Sequence, residues 1–325
     1  MTRIFARMGP AAAGAFFMIA AGALFAAANA IVQYGAMVHG IAPARLAFWQ
    51  YLVALLVSLP WLYAQGLGGL RSRAPHWHLL RVALAAAGVQ LWVAGLAHVP
   101  IWQAIALILL SPIFVTLGAV TVLGERASLR RWIALGVGVT GGMIILAPWS
   151  DAFTWHALLP VGAAALWAAH SLVTKRLTQS ESPESLTVYL LLLLTPFNAA
   201  AAWGVGFGLD FGASGLLLLA AGLVTALAQY AVARAYSHAD AAYLQPFDTL
   251  KLLFNVALGA VIFGFVPPGS LWLGAALIIG ASSWLLGAGD APDDEPEVVP
   301  ATVPVPVLSD AADRPGRRPE CRGGL

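Results

Sequence analysis

Residues 101–123 read IWQAIALILLSPIFVTLGAVTVL, a run of 23 residues without a charged side chain. A helix that spans a bilayer needs about 20 largely apolar residues. The rest of the chain is similar, since 60% of its 325 residues are hydrophobic, 10% are charged, and the mean hydropathy is +0.81. Soluble proteins carry about 25% charged residues. The sequence therefore excludes a water-soluble fold and predicts an all-α integral membrane protein.

Short polar segments divide residues 10–288 into ten apolar stretches, each long enough for one membrane-spanning helix. The stretches are 10–34, 43–65, 78–97, 101–123, 130–148, 156–175, 185–206, 213–236, 242–263 and 269–288. The first follows Arg3 and Arg7 and ends in Ala28-Asn29-Ala30, as a signal peptide does. Its apolar run exceeds the usual length of about 7 to 15 residues for a signal peptide. We therefore predict an uncleaved first helix.

The C-terminal segment, 289–325, differs in composition from the rest of the chain. It mixes acidic residues with several prolines and ends with a basic cluster that includes Arg314, Arg317 and Arg318. Such a segment cannot bury enough apolar surface to offset the entropy lost on ordering. We predict a disordered cytoplasmic tail, and a partner-binding role for it is the alternative.

The distribution of Lys and Arg predicts the orientation, because these residues are retained on the cytoplasmic side during insertion. They lie before the first stretch and around the loops that follow the second, fourth, sixth and eighth stretches: Arg3, Arg7, Arg71, Arg73, Arg81, Arg126, Arg130, Arg131, Lys175, Arg176 and Arg234. The alternate loops carry Asp151 and Asp210, with Arg45 just inside the second stretch. Both termini of this inner-membrane (plasma-membrane) protein are therefore predicted to be cytoplasmic.

Charge and cysteine content exclude several other classes of site. The net charge is +2, and no cluster of Lys and Arg is interleaved with aromatic residues, so a nucleic-acid surface is not indicated. Cys321 is the single cysteine and cannot form an intrachain disulfide. No spacing of Cys and His suggests a metal site, and no cofactor is predicted.

The two halves of the chain resemble each other. Four pairs of identical residues are separated by 140 positions, namely His98 and His238, Phe114 and Phe254, Gly124 and Gly264, and Trp132 and Trp272. Pro43 and Pro183 share this offset. Each half, 10–148 and 156–288, contains five predicted helices, so the second half enters the membrane in the opposite sense. Inverted repeats of this kind are typical of secondary transporters that work by alternating access.

Several motifs resemble the EamA type of the drug/metabolite transporter superfamily. In the first half they are Ser111-Pro112-Ile113-Phe114, Leu123-Gly124-Glu125-Arg126 and Gly141-Gly142; in the second half they are Ala233-Arg234-Ala235-Tyr236, Gln245-Pro246-Phe247-Asp248 and Leu273-Gly274-Ala275. The resemblance covers residues 10–288. It implies ten helices around a central cavity lined mainly by the first, third, fourth, sixth, eighth and ninth. It also implies a gating or folding role for Glu125, for which a solvated ion pair is the alternative.

The ninth stretch contains two charged residues, which are costly within a hydrocarbon layer and therefore suggest function. Asp248 and Lys251 are three residues apart and hence neighbours on one helical face. Gln245 and Asn255 lie on the same side, together with Gly259. We interpret this polar stripe as a substrate or proton site. A static ion pair that holds the helix against its neighbours is the alternative.

Other polar or aromatic residues in the predicted cavity helices are weaker candidates for substrate contacts. They are Asn29, Gln90, Trp92, His170 and Gln229. Ordinary hydrogen bonds between helices are the alternative for the polar residues, and lipid-facing packing is the alternative for Trp92. Pro112 indicates a hinge in the fourth helix, and we expect no second hinge because its counterpart in the repeat is Leu252.

These observations predict a secondary transporter of a small polar or amphipathic metabolite, embedded in the lipid bilayer. Export of amino acids or related metabolites is the first substrate hypothesis, and uptake of a vitamin or nucleoside-like cofactor is the alternative. The sequence contains no His-Glu-x-x-His motif and no Walker A sequence, which argues against a membrane metalloprotease and against direct ATP coupling. A scaffold role and a homodimer stay open at this point.

Overall fold

The structure is a computed structural model that describes residues 9–65, 72, 74–122, 129–151, 153–178, 180–181, 183–209, 212–239 and 241–287. Within these ranges the fold is all-helical and contains no strand. The helices are α1 (Pro10–Met37), α2 (Pro43–Gln65), α3 (Pro75–Leu96), α4 (Ile101–Ile108), α5 (Ser111–Val122), α6 (Leu129–Leu146), α7 (Leu158–Leu177), α8 (Pro183–Ala202), α9 (Ala213–Tyr236), α10 (Ala241–Asp248), α11 (Lys251–Phe263) and α12 (Gly269–Gly287). Glu125 and the 289–325 tail lie outside the described residues.

Local sequence explains where several helices begin and end. Four of them begin at a proline (Pro10, Pro43, Pro75 and Pro183), whose fixed φ suits the first helical position and whose missing N–H is not needed there. At the other end of α11, Gly264 adopts φ of 67° and closes the helix in the left-handed conformation.

Seven candidate spans in the described ranges are long and apolar enough to cross a membrane. Two further apolar helices, Lys251–Phe263 and Gly269–Leu285, are shorter. Because lipid offers no hydrogen-bond partner to the backbone, helices are the expected form of such segments. The protein is a multi-pass membrane protein, and the count of ten spanning helices stays a prediction.

Two of the predicted spans are interrupted by short turns. Leu109 and Leu110 separate α4 from α5, and Thr249 and Leu250 separate α10 from α11. The two interruptions are 140 residues apart, the same offset as the sequence repeat. The sequence led us to expect a hinge in the first half alone, whereas both halves carry an interruption at this offset. In the second interruption Leu252 stands at the position that corresponds to Pro112.

Helices from the two halves pack in pairs: α1 with α9, α3 with α7, and α6 with α12. Small residues allow this close approach. A Cβ at Gly88 would lie 2.5 Å from the Trp167 indole nitrogen, and one at Gly141 would lie 2.6 Å from the carbonyl oxygen of Gly274. Small residues at helix contacts are the usual basis of tight packing in membranes.

Candidate substrate site

The two charged residues of the polar stripe, Asp248 and Lys251, flank the interruption between α10 and α11. Lys251 Nζ donates to Asp248 Oδ2 at 2.6 Å across the Thr249–Leu250 turn. The two side chains are 21% and 23% exposed, so neither is sealed in the core. The structure confirms that the two residues form a pair, and their role in transport stays a prediction.

An amide pair lies one turn beyond Lys251. Asn255 is fully buried, and its Nδ2 donates to the Lys251 carbonyl oxygen at 2.6 Å. Asn29 Nδ2 of α1 donates to Asn255 Oδ1 at 3.1 Å. Gly22 of the same helix faces the Lys251 backbone, where a Cβ would lie 3.5 Å from Lys251 Cα. The ion pair and the amide pair therefore form one polar strip along the contact of α11 with α1. Gln245 lies in α10, and its side chain is outside the described residues.

Two other predicted site residues are engaged in hydrogen bonds between helices. Gln90 Nε2 of α3 donates to Asn198 Oδ1 of α8 at 2.7 Å. His170 Nδ1 of α7 lies 3.0 Å from the Arg81 carbonyl oxygen of α3. These contacts fit the structural alternative, because the side chains join helices as polar groups commonly do in membrane bundles.

Gln229 differs from these two residues. Its Oε1 is buried, and the described part of the chain supplies it with no hydrogen-bond partner. A buried acceptor without a partner costs about 1–3 kcal/mol. Gln229 is therefore suited to accept a hydrogen bond from a bound molecule.

Two indole rings lie at the contact between α3 and α7. The ring centroids of Trp92 and Trp167 are 6.1 Å apart, with planes inclined at 46°. Trp167 Nε1 donates to the Ala85 carbonyl oxygen at 3.3 Å, and the indole lies against Gly88. Trp92 is 9% exposed and belongs to the main apolar core. These contacts fix the Trp167 ring at the α3–α7 contact and pack Trp92 into that core rather than leaving it on a lipid-facing surface.

Sequence reasoning missed a buried polar cluster at the start of α3. We counted Arg81 among the loop-flanking basic residues, but its side chain is fully buried, and Nη2 donates to the Leu186 carbonyl oxygen at 2.5 Å. His78, one turn earlier, is also fully buried, and Glu181 lies beside it. Arg81 stands six residues inside a helix that begins at Pro75, and this depth was the available signal.

The groups of this strip are suited to binding a polar solute. The strip offers a carboxylate, an ammonium group and amides, all of which hydrogen-bond polar solutes. Within the described ranges no group of three or more His, Cys, Asp or Glu could hold a metal ion. Apolar helices with an internal polar strip are the arrangement expected of a membrane transport protein.

Comparison with known proteins identifies the family. The EamA-like transporter family matches residues 12–147. A "Riboflavin transporter" of Rhizobium johnstonii is 54% identical over 276 residues, covering 85% of this chain and 91% of the relative. A "Riboflavin transporter" of Vibrio cholerae serotype O1 is 48% identical, covering 82% and 90%. The chain belongs to the EamA-like transporter family of the drug/metabolite transporter superfamily, as its motifs indicated, and it is a transporter rather than an enzyme.

More distant similarities extend over most of the chain. An "S-adenosylmethionine uptake transporter" of Rickettsia felis is 27% identical, covering 74% of this chain and 82% of the relative. A solved crystal structure matches with a TM-score of 0.56 at 19% identity, covering 87% of this chain and 99% of the other. The latter likeness shows the fold alone.

Proposed function

We propose that this protein takes up riboflavin, or a vitamin of closely similar chemistry, across the inner membrane by alternating access. The observation that carries the proposal is the similarity to the two riboflavin transporters, which extends over at least nine tenths of each relative. This is the vitamin alternative of the sequence analysis. The comparisons favour it over the first hypothesis, export of amino acids.

The polar strip suits riboflavin because the vitamin carries no net charge near neutral pH. Its ribityl chain presents several hydroxyl groups that both donate and accept hydrogen bonds. Asp248 and Lys251 together carry no net charge, and their partial exposure leaves a carboxylate oxygen and ammonium protons for hydroxyl groups. An ion pair therefore binds a neutral polyol without leaving an unpaired charge in the membrane.

The flat isoalloxazine ring of riboflavin requires two other kinds of contact. Its face requires a surface on which to stack, and its uracil-like edge requires amide groups as hydrogen-bond partners. We propose Trp167 as the stacking surface, since Gly88 and the Ala85 carbonyl fix the plane of its ring. Trp92, whose ring centroid is 6.1 Å away, would hold that ring from the core side. We propose Asn29 for the polar edge, together with Gln229 Oε1, which accepts no hydrogen bond from the described residues. Gln90 and His170 would then position α8 and α7 relative to α3.

Alternating access by an inverted repeat is supported by details that recur in both halves. The interruptions of the α4–α5 and α10–α11 segments are 140 residues apart. His98 Nδ1 lies 2.8 Å from the Ala94 carbonyl oxygen, and His238 Nδ1 lies 2.7 Å from that of Arg234. His98 is the second residue after the end of α3 at Leu96, and His238 is the second residue after the end of α9 at Tyr236. Five helices in each half, 10–148 and 156–288, would make the two units inverted.

Riboflavin is expected to raise the thermal unfolding midpoint of the purified protein by several degrees. At a ligand concentration of 100 times Kd, binding stabilises the folded state by about 2.7 kcal/mol. Amino acids and S-adenosylmethionine serve as comparison ligands, and lumichrome and ribitol present the ring and the side chain separately. Uptake of labelled riboflavin into proteoliposomes tests transport itself. A shift with amino acids and none with riboflavin would restore the export hypothesis.

The proposed topology places both termini and the loops after the second, fourth, sixth and eighth predicted spans in the cytoplasm. In a Cys321→Ser chain, Asp151→Cys is expected to react with a membrane-impermeant thiol reagent added to whole cells. Arg73→Cys is expected to react only after the membrane is opened. The reversed pattern would contradict the orientation predicted from Lys and Arg. A homodimer stays a prediction from the sequence.

A further inference from the structure

The buried cluster at the start of α3 joins two segments that are far apart in sequence. Ser72 Oγ donates to Glu181 Oε1 at 2.7 Å and accepts the N–H of Ala74 at 3.0 Å. The other carboxylate oxygen, Oε2, lies 3.8 Å from His78 Nε2. The Glu181 backbone N–H also donates to the Leu177 carbonyl oxygen at the end of α7. Glu181 thus holds the α2–α3 connection and the start of α3 against the end of α7.

The cluster extends from Glu181 to α8. The His78 ring stacks on Tyr189 with centroids 4.2 Å apart. Arg81, one turn further along α3, donates to the Leu186 carbonyl oxygen. Three helices, α3, α7 and α8, are therefore tied together at the end that the sequence places in the cytoplasm.

The cluster is buried, and three nitrogen atoms of His78 and Arg81 find no hydrogen-bond partner among the residues that the structure describes. His78 and Arg81 are 0% exposed, and the Glu181 side chain is 4% exposed. Both ring nitrogens of His78 and the Nε of Arg81 lack hydrogen bonds to the described residues. A polar network that is only partly satisfied is less stable than an apolar core of the same shape. A second arrangement of the helices, in which these nitrogen atoms meet other polar groups or solvent, would satisfy them.

The opposite end of α8 offers a fixed point for such a rearrangement. Arg45 Nε donates to the Gly206 carbonyl oxygen at 3.1 Å, and Trp49 Nε1 donates to that of Phe207 at 3.2 Å. These contacts hold the chain that follows α8 against α2. Release of the cluster around Glu181 would let the start of α8 move while its other end stays attached.

We propose that Ser72, His78, Arg81 and Glu181 form a latch that closes the predicted cytoplasmic side, with Glu181 as its central residue. Breaking the contacts of the Glu181 carboxylate opens that side during each transport cycle. The inference rests on alternating access under the proposed function, but it does not depend on the identity of the substrate.

Cysteine reactivity tests the latch without a substrate, so failure of the riboflavin proposal would leave this test intact. In a Cys321→Ser background, Thr174→Cys places a thiol in a position that is 8% exposed, one turn before the Leu177 carbonyl. Adding Glu181→Gln is expected to make this thiol react about tenfold faster with a polar reagent in detergent. Ala30→Cys, which is 3% exposed in α1, should not react faster, because local opening differs from general unfolding.

Three further single variants and one double variant distinguish a latch from a general loss of stability. His78→Phe keeps the stacking on Tyr189 but removes the ring nitrogens, and it should raise Thr174→Cys reactivity in the same direction. Combined with Glu181→Gln, His78→Phe should add little further reactivity, because both changes remove the same contact, that between the His78 ring and the Glu181 carboxylate. Asp151→Asn removes an exposed carboxylate outside the latch and should have no effect. Should Glu181→Gln fail to fold, Ser72→Ala is expected to give a smaller increase. Unchanged reactivity in a folded Glu181→Gln or Ser72→Ala protein would overturn the proposal.

Discussion

The double variant Asp248→Asn with Lys251→Met is expected to fold, insert into the membrane and fail to transport. Removing both charges leaves no unpaired ion in the low-dielectric interior, so stability should be close to that of the wild type. Hydrogen bonds that the ion pair makes to substrate would be lost, and hydrogen bonds to charged groups contribute about 1.5–3 kcal/mol each. We therefore expect transport in proteoliposomes to fall at least about a hundredfold.

Single variants separate this result from a purely structural role. Asp248→Asn leaves Lys251 without its carboxylate, and Lys251→Met leaves Asp248 without its ammonium group. Each single variant should therefore melt at a lower temperature than the double variant. Asp151→Asn is the matched control, because it removes an exposed carboxylate outside the site and should leave both melting and transport unchanged. Transport near the wild-type rate in the double variant would show that the pair only holds α10 and α11 together.

The sequence was sufficient to predict the pairing of Asp248 and Lys251, although not the shape of the chain between them. Side chains three residues apart lie on one helical face, and a charged pair in an apolar segment has few other partners. Asp248 and Lys251 are in contact across the Thr249–Leu250 turn because a short turn between two helices keeps their side chains adjacent. Local spacing therefore predicted this ion pair correctly.

Partners from distant parts of the chain could not be predicted in the same way. Gln33 donates to the carbonyl oxygens of Leu96 and Val99, 63 and 66 residues away. Gln90 meets Asn198, 108 residues away. Helical periodicity indicates that such side chains avoid lipid, but it does not say which neighbouring helix offers the partner. The distinction between a substrate contact and a helix–helix contact therefore required the packed structure.

The cluster around Glu181 shows a second limit of sequence reasoning. Basic residues near helix ends are normally counted as cytoplasmic flanks. Arg81 satisfies that pattern in sequence and yet is fully buried, and the Leu186 carbonyl of α8 accepts its hydrogen bond. Whether a basic residue at a helix end is solvated or buried depends on the neighbouring helix, which charge counting does not include.

Gly141→Leu is expected to separate α6 from α12 and to destabilise the protein strongly. Any Cβ at this position would lie 2.6 Å from the Gly274 carbonyl oxygen, and a Cβ at Gly274 would lie 2.7 Å from that of Gly141. The obstacle is backbone, so no side-chain rotation relieves it. Overpacking commonly costs about 1–3 kcal/mol, and we expect about 3 kcal/mol here because two helices must move apart. The measurement is the thermal unfolding midpoint of the purified protein.

Gly136→Leu on the same helix is the matched control. Nothing lies within 4 Å of a Cβ at Gly136, so the added side chain would extend into open space. Both variants introduce the same apolar side chain into α6, and their helix propensities change equally. A difference in melting temperature therefore measures the contact of α6 with Gly274, Leu277 and Ile278 of α12. Equal melting would mean that α6 and α12 can separate at little cost, and close backbone packing would then not be what holds this helix pair together.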